Sequence, residues 1–326
     1  MTATPFTRRN GMRAAAAAAL SLPVAAHATH DARAAGPARS AVGTSWAAAP
    51  SEYTEPAEAT RPVFDDGGPE LRTMTFNLRY AGDTRPNSWA ERRPVTHELL
   101  RRERPHLLGT QEGLYAQLQD IESDLGPRYD WIGTGREGGS RSEFGAVFYD
   151  TSRLTPLEYD HFWLSDTPYV IGSNTWGGQI TRMVTWVRFQ DRRTGGRFYA
   201  LNTHFDHVGQ YARERSAALI SERLGQLDPA LPRIVTGDFN VAAHGNPVYD
   251  ALLSGGKLVD TWETAAERSP QFATFHGYRP LVPDGDRIDW ILTSRGVRAP
   301  YAAINTFARD GQFPSDHLPV QAVLDL

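Results

Sequence analysis

Polar side chains that can do chemistry stand at the ends of the strand-like segments of this sequence. Each follows or precedes a short run of β-branched, aromatic or leucine residues, which is the composition of a buried strand. Strand ends are places where polar groups from separate segments can converge on one pocket. The residues in these positions are Asn77, Glu112, His204, Asp238, Asp289, Asp316 and His317.

The residue types in this set suit the hydrolysis of a phosphoester. Asparagine and carboxylate oxygens bind hard divalent cations, and the absence of cysteine excludes thiolate ligands, thiolate nucleophiles and disulfides. An imidazole beside a carboxylate is held protonated, because the negative charge raises its pKa. A buried aspartate near a metal can orient an attacking water. We therefore expect a site that neutralises a phosphate, orients water and protonates the leaving oxygen.

Six short blocks carry these residues, and their order and spacing resemble the consecutive signature blocks of the endonuclease/exonuclease/phosphatase superfamily. The resemblance covers residues 71–326. One block alone would be a weak signal, whereas six in order are a strong one. The blocks are Thr75-Phe76-Asn77, Gln111-Glu112, Asn202-Thr203-His204-Phe205-Asp206, Thr236-Gly237-Asp238-Phe239-Asn240, Arg287-Ile288-Asp289 and Ser315-Asp316-His317.

The resemblance implies a metal site made of oxygen ligands. Glu112 would be the principal ligand, with Asn77 beside it and Asp316 close enough to assist. The expected cofactor is Mg²⁺ or Mn²⁺, with Ca²⁺ as a further candidate, because these cations prefer oxygen ligands.

The resemblance also implies the catalytic groups. Asp238 would orient or deprotonate the attacking water, and Asn240 would hydrogen-bond the phosphate or that water. Which residue generates the nucleophile stays open at this point. Two histidine–carboxylate pairs would contact the scissile phosphate as imidazolium ions. The expected pairs are His317 with Asp289 and His204 with Glu143.

Several residues near these blocks allow two interpretations. Arg136, in the glycine-rich loop 133–139, could grip a substrate phosphate or could be a solvated loop arginine. His276 could line the substrate pocket or be a hydrogen-bonded loop histidine. Asp206 and His207 follow His204 closely, and we expect them to organise the next loop rather than to bind metal.

Strand-like and helix-like segments follow one another from residue 71 onward, which predicts one α/β domain over 71–326. The resemblance implies a four-layer α/β sandwich, with two packed mixed β-sheets flanked by helices. The predicted helices are Trp89–Arg102, Leu114–Leu125, Gly209–Leu227 and Pro247–Leu253. The predicted strands are Arg72–Arg79, His106–Thr110, Asp130–Gly133, Gly145–Tyr149, Arg182–Gln190, Arg197–His204, Arg233–Gly237, Asp289–Thr293 and Pro319–Leu326.

Residues 1–28 are typical of an export signal. Arg8, Arg9 and Arg13 precede an alanine-rich apolar run that is too short to span a bilayer, and the arginine pair resembles a twin-arginine signal. The alternative is a disordered alanine-rich tail. Residues 29–69, rich in Ala, Pro, Ser, Thr and Glu, predict a flexible linker. We therefore expect a secreted or cell-envelope protein without a transmembrane segment.

Charge bears on the substrate. The formal charge of −4 becomes −7 when residues 1–28 and their three arginines are removed, so strong binding of nucleic acid is not favoured. We expect a monomeric phosphodiesterase or phosphatase acting on a phosphorylated small molecule or a phosphodiester. The alternatives are a secreted endonuclease or exonuclease and a non-catalytic phosphate-binding protein of the same fold. The binding protein is disfavoured because every catalytic block is filled.

Overall fold

Two β-sheets pack face to face at the centre of the protein. The structure is a computed structural model that describes residues 67–326, and the predicted signal (1–28) and nearly all of the predicted linker (29–69) lie outside the described residues. The strands are β1 (Leu71–Asn77), β2 (Leu107–Gly113), β3 (Tyr129–Ile132), β4 (Phe144–Asp150), β5 (Leu154–Trp163), β6 (Met183–Asp191), β7 (Arg197–His204), β8 (Arg233–Asp238), β9 (Leu258–Asp260), β10 (Glu267–Arg268), β11 (Asp289–Ser294), β12 (Arg298–Ile304) and β13 (Val320–Asp325).

Helices cover the outer faces of both sheets. They are α1 (Trp89–Glu103), α2 (Tyr115–Leu125), α3 (Gln210–Gln226), α4 (Pro247–Ser254) and the single turn α5 (Thr261–Thr264). The four longer helices begin and end within two residues of their predicted bounds, because their apolar positions recur with helical spacing. Among the described residues, none of the helices combines the length and the apolar character needed to cross a membrane.

Both sheets are mixed. The seven-stranded sheet has the order β10-β12-β13-β1-β2-β4-β3, and the six-stranded sheet has the order β5-β6-β7-β8-β11-β9. In the first sheet β1 is parallel to β2 and antiparallel to β13. In the second, β8 is parallel to β7 and antiparallel to β11. The predicted pair of mixed sheets is therefore confirmed.

Three apolar layers separate the four structural layers. The central layer lies between the sheets and includes Leu107, Phe189 and Ile291. A second layer packs α1 and α2 onto the first sheet, and a third packs α3 and α4 onto the second. The arrangement is an α/β/β/α sandwich, as predicted.

The prediction omitted four strands. The longest of these is β5, an edge strand in which Pro156 accompanies a register shift and the middle residues are exposed. Proline and charged residues are common on edge strands, since they discourage pairing with other chains, and they hide the alternating pattern used for prediction. The others, β9, β10 and β12, are short or contain proline.

A buried polar contact joins the two sheets. The fully buried Asn202 of β7 donates from Nδ2 to the carbonyls of Thr110 (2.8 Å) and Ala146 (3.1 Å) in the opposite sheet. Its Oδ1 accepts from Gln111 Nε2 (2.7 Å) and from Thr236 Oγ1 (3.1 Å). Every hydrogen-bonding position of the Asn202 amide is thus filled, so its burial stabilises one alignment of the sheets.

Replacement of Asn202 by alanine should lower the free energy of unfolding by about 3 kcal/mol, because buried partners lose hydrogen bonds and a cavity remains. Urea unfolding followed by tryptophan fluorescence measures this loss. Asn174→Ala, which removes an exposed amide with one hydrogen bond to Gly178, is the matched control and should change stability by less than about 0.5 kcal/mol. Equal stability of the two variants would contradict the structural role of Asn202.

Candidate active site

Strand directions bring the candidate residues to one edge of the sandwich. Asn77 ends β1 and Glu112 lies at the end of the parallel β2. In the second sheet Asp238 is paired in register with His204 on one side and Asp289 on the other. Asp316 and His317 come just before β13, which runs antiparallel to β1 and so starts at the same edge.

One corner of the site is rich in oxygen atoms. Asn77 Nδ2 donates to Glu112 Oε1 (3.1 Å), and the N–H of Tyr80 donates to Glu112 Oε2 (3.1 Å). Burial opposes the charge of Glu112, but the His317 imidazolium and these hydrogen bonds hold its pKa below the usual value. Burial and the neighbouring Glu112 raise the pKa of Asp316. Two close carboxylates and an amide suit a hard divalent cation.

An unusual backbone conformation at Glu112 sets the direction of this carboxylate. Its φ is +61°, in the left-handed region that non-glycine residues rarely adopt. The pairing of β2 with β4 shifts register between Thr110 and Gly113, which marks a bulge at this point. Bulges redirect side chains near functional sites, and the accompanying strain is of the order of 1–2 kcal/mol. The local distortion therefore turns Glu112 toward Asn77.

Asp238 lies at the centre of the site. Its Oδ2 accepts from Asn77 Nδ2 (2.9 Å) and lies 3.4 Å from His204 Nε2 and 3.8 Å from His317 Nε2. Its Oδ1 accepts from the N–H of Asn240 (2.9 Å). Burial and the nearby Asp289 charge raise the pKa of Asp238. A carboxylate with a raised pKa accepts a proton more readily, which suits a general base.

His317 and Asp289 form the predicted pair. His317 Nδ1 donates to Asp289 Oδ2 (3.0 Å), and both side chains are buried. Burial opposes the charged imidazole, but Asp289 and Asp238 outweigh it and raise the pKa of His317 above its usual value. The ring is therefore an imidazolium at neutral pH, directed at Asp238.

The expected pairing of His204 with Glu143 is wrong. His204 Nδ1 faces Arg182 Nη1 at 2.7 Å, and Nε2 lies 2.9 Å from Nδ2 of Asn240. Burial and the Arg182 cation lower the pKa of His204 well below its usual value. His204 is therefore neutral, and the expectation of a second imidazolium is corrected.

Glu143 is held by a different partner. Its carboxylate forms an ion pair with the guanidinium of Arg136, whose Nε donates to Ser142 Oγ (3.2 Å). Arg136 is buried, and its carbonyl accepts from Trp163 Nε1 (2.6 Å). Arg136 therefore lies in a buried salt bridge with Glu143 and not in the solvated loop position that was the alternative.

The remaining candidates lie in the walls of the site. His276 is buried, with Nε2 3.1 Å from the carbonyl of Ser315, so it supports the loop before His317. Asn240 donates from Nδ2 to the Phe205 carbonyl (3.0 Å). The Asp206 carboxylate accepts from three backbone N–H groups, which agrees with its predicted role in organising the loop.

Two triads of acidic and histidine residues are close enough to share a cation: Glu112 with His204 and Asp238, and Asp238 with Asp289 and His317. Both ring nitrogens of His204 already face other side chains, and a protonated His317 has no lone pair to offer. The Glu112 corner, with Asn77 and Asp316, remains the best cation site among the described residues.

Sequence reasoning missed four residues around the site. Arg182 directly precedes β6, and no motif marked it. Arg79 has a φ of +49° and its Nε lies 3.6 Å from Asp316 Oδ2. Tyr80 and Phe275 are exposed aromatic residues at the site, and the Phe275 ring centroid lies 4.9 Å from that of His317. Exposed aromatic residues adjoining catalytic blocks are a signal that could have identified the last two.

Removal of the Asp289 charge should lower the pKa of His317, since the carboxylate stabilises the imidazolium. In metal-free Asp289→Asn, histidine NMR titration should show a decrease of roughly 1–3 pH units relative to the unmodified protein. An unchanged His317 titration would show that Asp289 does not hold this proton.

Comparison with known proteins identifies the family to which this fold belongs. The family model described as Endonuclease/Exonuclease/phosphatase family matches residues 74–317, which include all the candidate residues. Among curated proteins, none matches this sequence. Several solved structures do match it.

Three bacterial structures are similar over most of their lengths. An endonuclease/exonuclease/phosphatase from Bacteroides vulgatus is 34% identical, with a TM-score of 0.74 and coverage of 79% of this chain and 99% of that one. A mannosyl-6-phosphatase from Bacteroides thetaiotaomicron VPI-5482 is 35% identical, with a TM-score of 0.74 and coverage of 78% and 100%. A functionally unknown conserved protein from Enterococcus faecalis V583 is 26% identical, with a TM-score of 0.70 and coverage of 78% and 99%. This chain belongs to the endonuclease/exonuclease/phosphatase family.

Proposed function

We propose that the protein is an exported, divalent-metal-dependent phosphatase of small phosphorylated molecules, with sugar phosphates as the preferred substrate class. The observation that carries the proposal is the position of Asp238, between the imidazolium of His317 and the oxygen-rich corner at Glu112 and Asn77. Members of the family are usually hydrolases of phosphoesters.

The chain's own groups supply the parts of a hydrolysis. As a P–O bond forms to water and the bond to the leaving oxygen breaks, the water loses a proton to Asp238, whose pKa is raised by burial, and the leaving oxygen takes up a proton from solvent. The His317 imidazolium neutralises negative charge on the phosphate. Asn240 and His204, which lie beside Asp238, add polar contacts for the phosphate or the water.

Glu112, Asn77 and Asp316 would hold the cation, Mg²⁺ or Mn²⁺, which when bound neutralises further phosphate charge. The fit rests on the chemistry of these ligands. Both carboxylates offer oxygen, whereas the Asn77 amide turns its Nδ2 toward Glu112 and Asp238 and its Oδ1 toward the N–H of Arg79 (2.9 Å), so it would coordinate only with the amide turned over. Burial and the adjoining Glu112 charge both oppose ionisation of Asp316, and a bound cation would relieve this repulsion. Arg79, whose Nε lies 3.6 Å from Asp316, is already paired with Asp83.

Two observations support a sugar phosphate. The Bacteroides thetaiotaomicron relative, 35% identical over its full length, is a mannosyl-6-phosphatase. At the site itself, the Phe275 ring is 47% exposed and packs against His317. Aromatic faces stack on the apolar faces of rings, so Phe275 could receive the sugar while His317 meets its phosphate. The formal charge of −4 gives no support to an extended nucleic acid substrate.

Asp238→Asn should lower kcat by roughly 10³-fold, because the site loses its general base. The assay is phosphate release from mannose 6-phosphate, with inositol phosphate, bis(p-nitrophenyl) phosphate and single-stranded DNA as competing substrate classes. Treatment of the unmodified enzyme with EDTA should abolish turnover, and Mg²⁺ or Mn²⁺ should restore it.

Glu267→Gln is the matched control, since Glu267 is an exposed carboxylate on the short strand β10. It should keep full activity and the same metal requirement. Full activity in Asp238→Asn would contradict the proposed site. Activity that resists EDTA would contradict the proposed need for a cation. Faster cleavage of DNA than of any small phosphate would favour the nuclease alternative.

Phe275→Ala should raise KM for mannose 6-phosphate by about 3- to 10-fold, because a stacking contact of roughly 0.5–1.5 kcal/mol is lost. Inhibition by inorganic phosphate should not change, as phosphate has no ring to stack. Tyr159→Ala, which removes an aromatic ring of similar exposure on the edge strand β5, should leave both quantities unchanged. An unchanged KM in Phe275→Ala would exclude this ring from sugar binding.

Export rests on the sequence of residues 1–28, with their arginine pair and apolar run. A secreted or cell-envelope location would bring the enzyme to phosphorylated sugars outside the cytoplasm. The linker proposed for residues 29–69 would then separate the catalytic domain from the export signal, and we propose that the domain acts as a monomer.

A further inference from the structure

Arg182 makes a contact that determines the hydrogen-bonding state of His204. Its Nη1 lies 2.7 Å from His204 Nδ1, which is the shortest contact of that ring. The position follows from the fold: Arg182 precedes β6, Val184 is in register with Thr203 of β7, and His204 ends β7. The two side chains therefore meet at the active-site end of adjacent strands.

The Arg182 side chain is buried and has little hydrogen bonding apart from its contact with His204. It is only 6% exposed, and among the described residues its Nε has no hydrogen-bond partner. A buried guanidinium without full hydrogen bonding is costly, so its position needs a compensating interaction. Glu143, the carboxylate that could have paired with it, forms an ion pair with Arg136 instead. The contact with His204 is therefore the main hydrogen bond of Arg182.

We propose that Arg182 is a positioning residue that holds His204 as the neutral tautomer with its proton on Nε2. A guanidinium has only donors, so His204 Nδ1 must accept. A neutral imidazole carries one proton, which is then placed on Nε2, 3.4 Å from Asp238 Oδ2. The Asn240 amide also faces Nε2 and must turn its oxygen toward that proton, which gives up the hydrogen bond from its Nδ2 to the Phe205 carbonyl (3.0 Å), whereas arginine has no acceptor to present.

This assignment gives the two histidines different roles. His317, paired with a carboxylate, meets the phosphate as a cation, while His204 meets it as a neutral N–H donor. A second imidazolium beside Asp238 would hold its carboxylate in an ion pair and weaken it as a base. The catalytic consequence rests on the proposed function, but the tautomer can be tested without substrate.

The test uses the full-length protein labelled with ¹⁵N in its histidine rings, in the absence of metal. Nitrogen shifts distinguish protonated from unprotonated ring nitrogens, and the signals that vanish in His204→Gln identify His204. We expect an Nε2–H, Nδ1-bare ring at pH 7. Protonation on Nδ1, or on both nitrogens, would overturn the proposal whether or not the protein hydrolyses phosphoesters.

Two substitutions separate the hydrogen bond from the volume of the side chain. Arg182→Met removes the donor, so the ring should lose its single tautomer and shift its ¹⁵N signals. Arg182→Lys keeps a cationic donor and should restore most of the Nε2–H signal. An unmoved His204 spectrum in Arg182→Met would contradict the proposal.

Arg153→Met is the matched control for loss of a buried arginine. Arg153 is 2% exposed and pairs with Asp191, at the end of β6 farthest from Arg182. Both methionine variants should be less stable in urea unfolding, but only Arg182→Met should change the His204 spectrum. Equal spectral changes in the two would assign the effect to general destabilisation and refute a specific role.

Kinetics then test the consequence for catalysis. With mannose 6-phosphate and Mg²⁺, Arg182→Met should lower kcat by roughly 10- to 100-fold, the range typical of residues that orient metal-ligating histidines. Arg182→Lys should recover part of that loss, and Arg153→Met should not share it. A changed spectrum with unchanged kcat would keep the tautomer and reject its catalytic role. If the unmodified protein hydrolyses no phosphoester, the proposed function fails while the tautomer result stands.

Discussion

The side-chain amide of Asn202 is the contact on which the geometry of the candidate active site depends. It lies between the two sheets and bonds to Thr110 and Ala146 on one side and to Thr236 on its own side. Close approach at this point requires glycine at position 109, since a Cβ there would lie 2.1 Å from Thr236 Oγ1. Because apolar layers are tolerant of sliding and satisfied polar groups are not, this contact sets the alignment of the sheets.

The alignment matters because each sheet supplies only part of the candidate catalytic set. Asn77 and Glu112 come from the first sheet, and Asp238 comes from the second. The hydrogen bond of 2.9 Å from Asn77 to Asp238 crosses between them at the edge of the sandwich. A shift of one sheet by a single residue would move these groups apart by about 3.3 Å and break the site.

Buried charge sets the chemistry of the site. Burial alone would discharge both carboxylates and imidazoles, so the neighbours decide which groups remain ionised. His317 lies against Asp289 and stays protonated, whereas His204 lies against Arg182 and stays neutral. Two residues of one type at similar depth thus differ in charge, because one faces an anion and the other a cation.

The sequence by itself determined the elements and the inventory of polar groups. Periodicity and turn residues predicted nine strands and four helices close to their observed bounds, because these signals are local. The polar residues that follow the strands predicted the site at the strand ends, and the resemblance of the six blocks to the family implied the His317–Asp289 pair. The edge strand β5 and the strands β9, β10 and β12 were not predicted, since proline, exposed residues or a length of two or three residues obscures the alternating pattern that marks a strand.

Only the tertiary structure decided which side chains meet. The partner of His204 is Arg182, a residue that no motif marks, and Glu143 belongs to Arg136 instead. These partners are determined by the register of β6 against β7 and by the course of the loop 133–143. Neither can be read from the local sequence pattern. The charge of His204 followed from these partners, because the pKa of a buried group depends on neighbours that only the folded chain brings into contact.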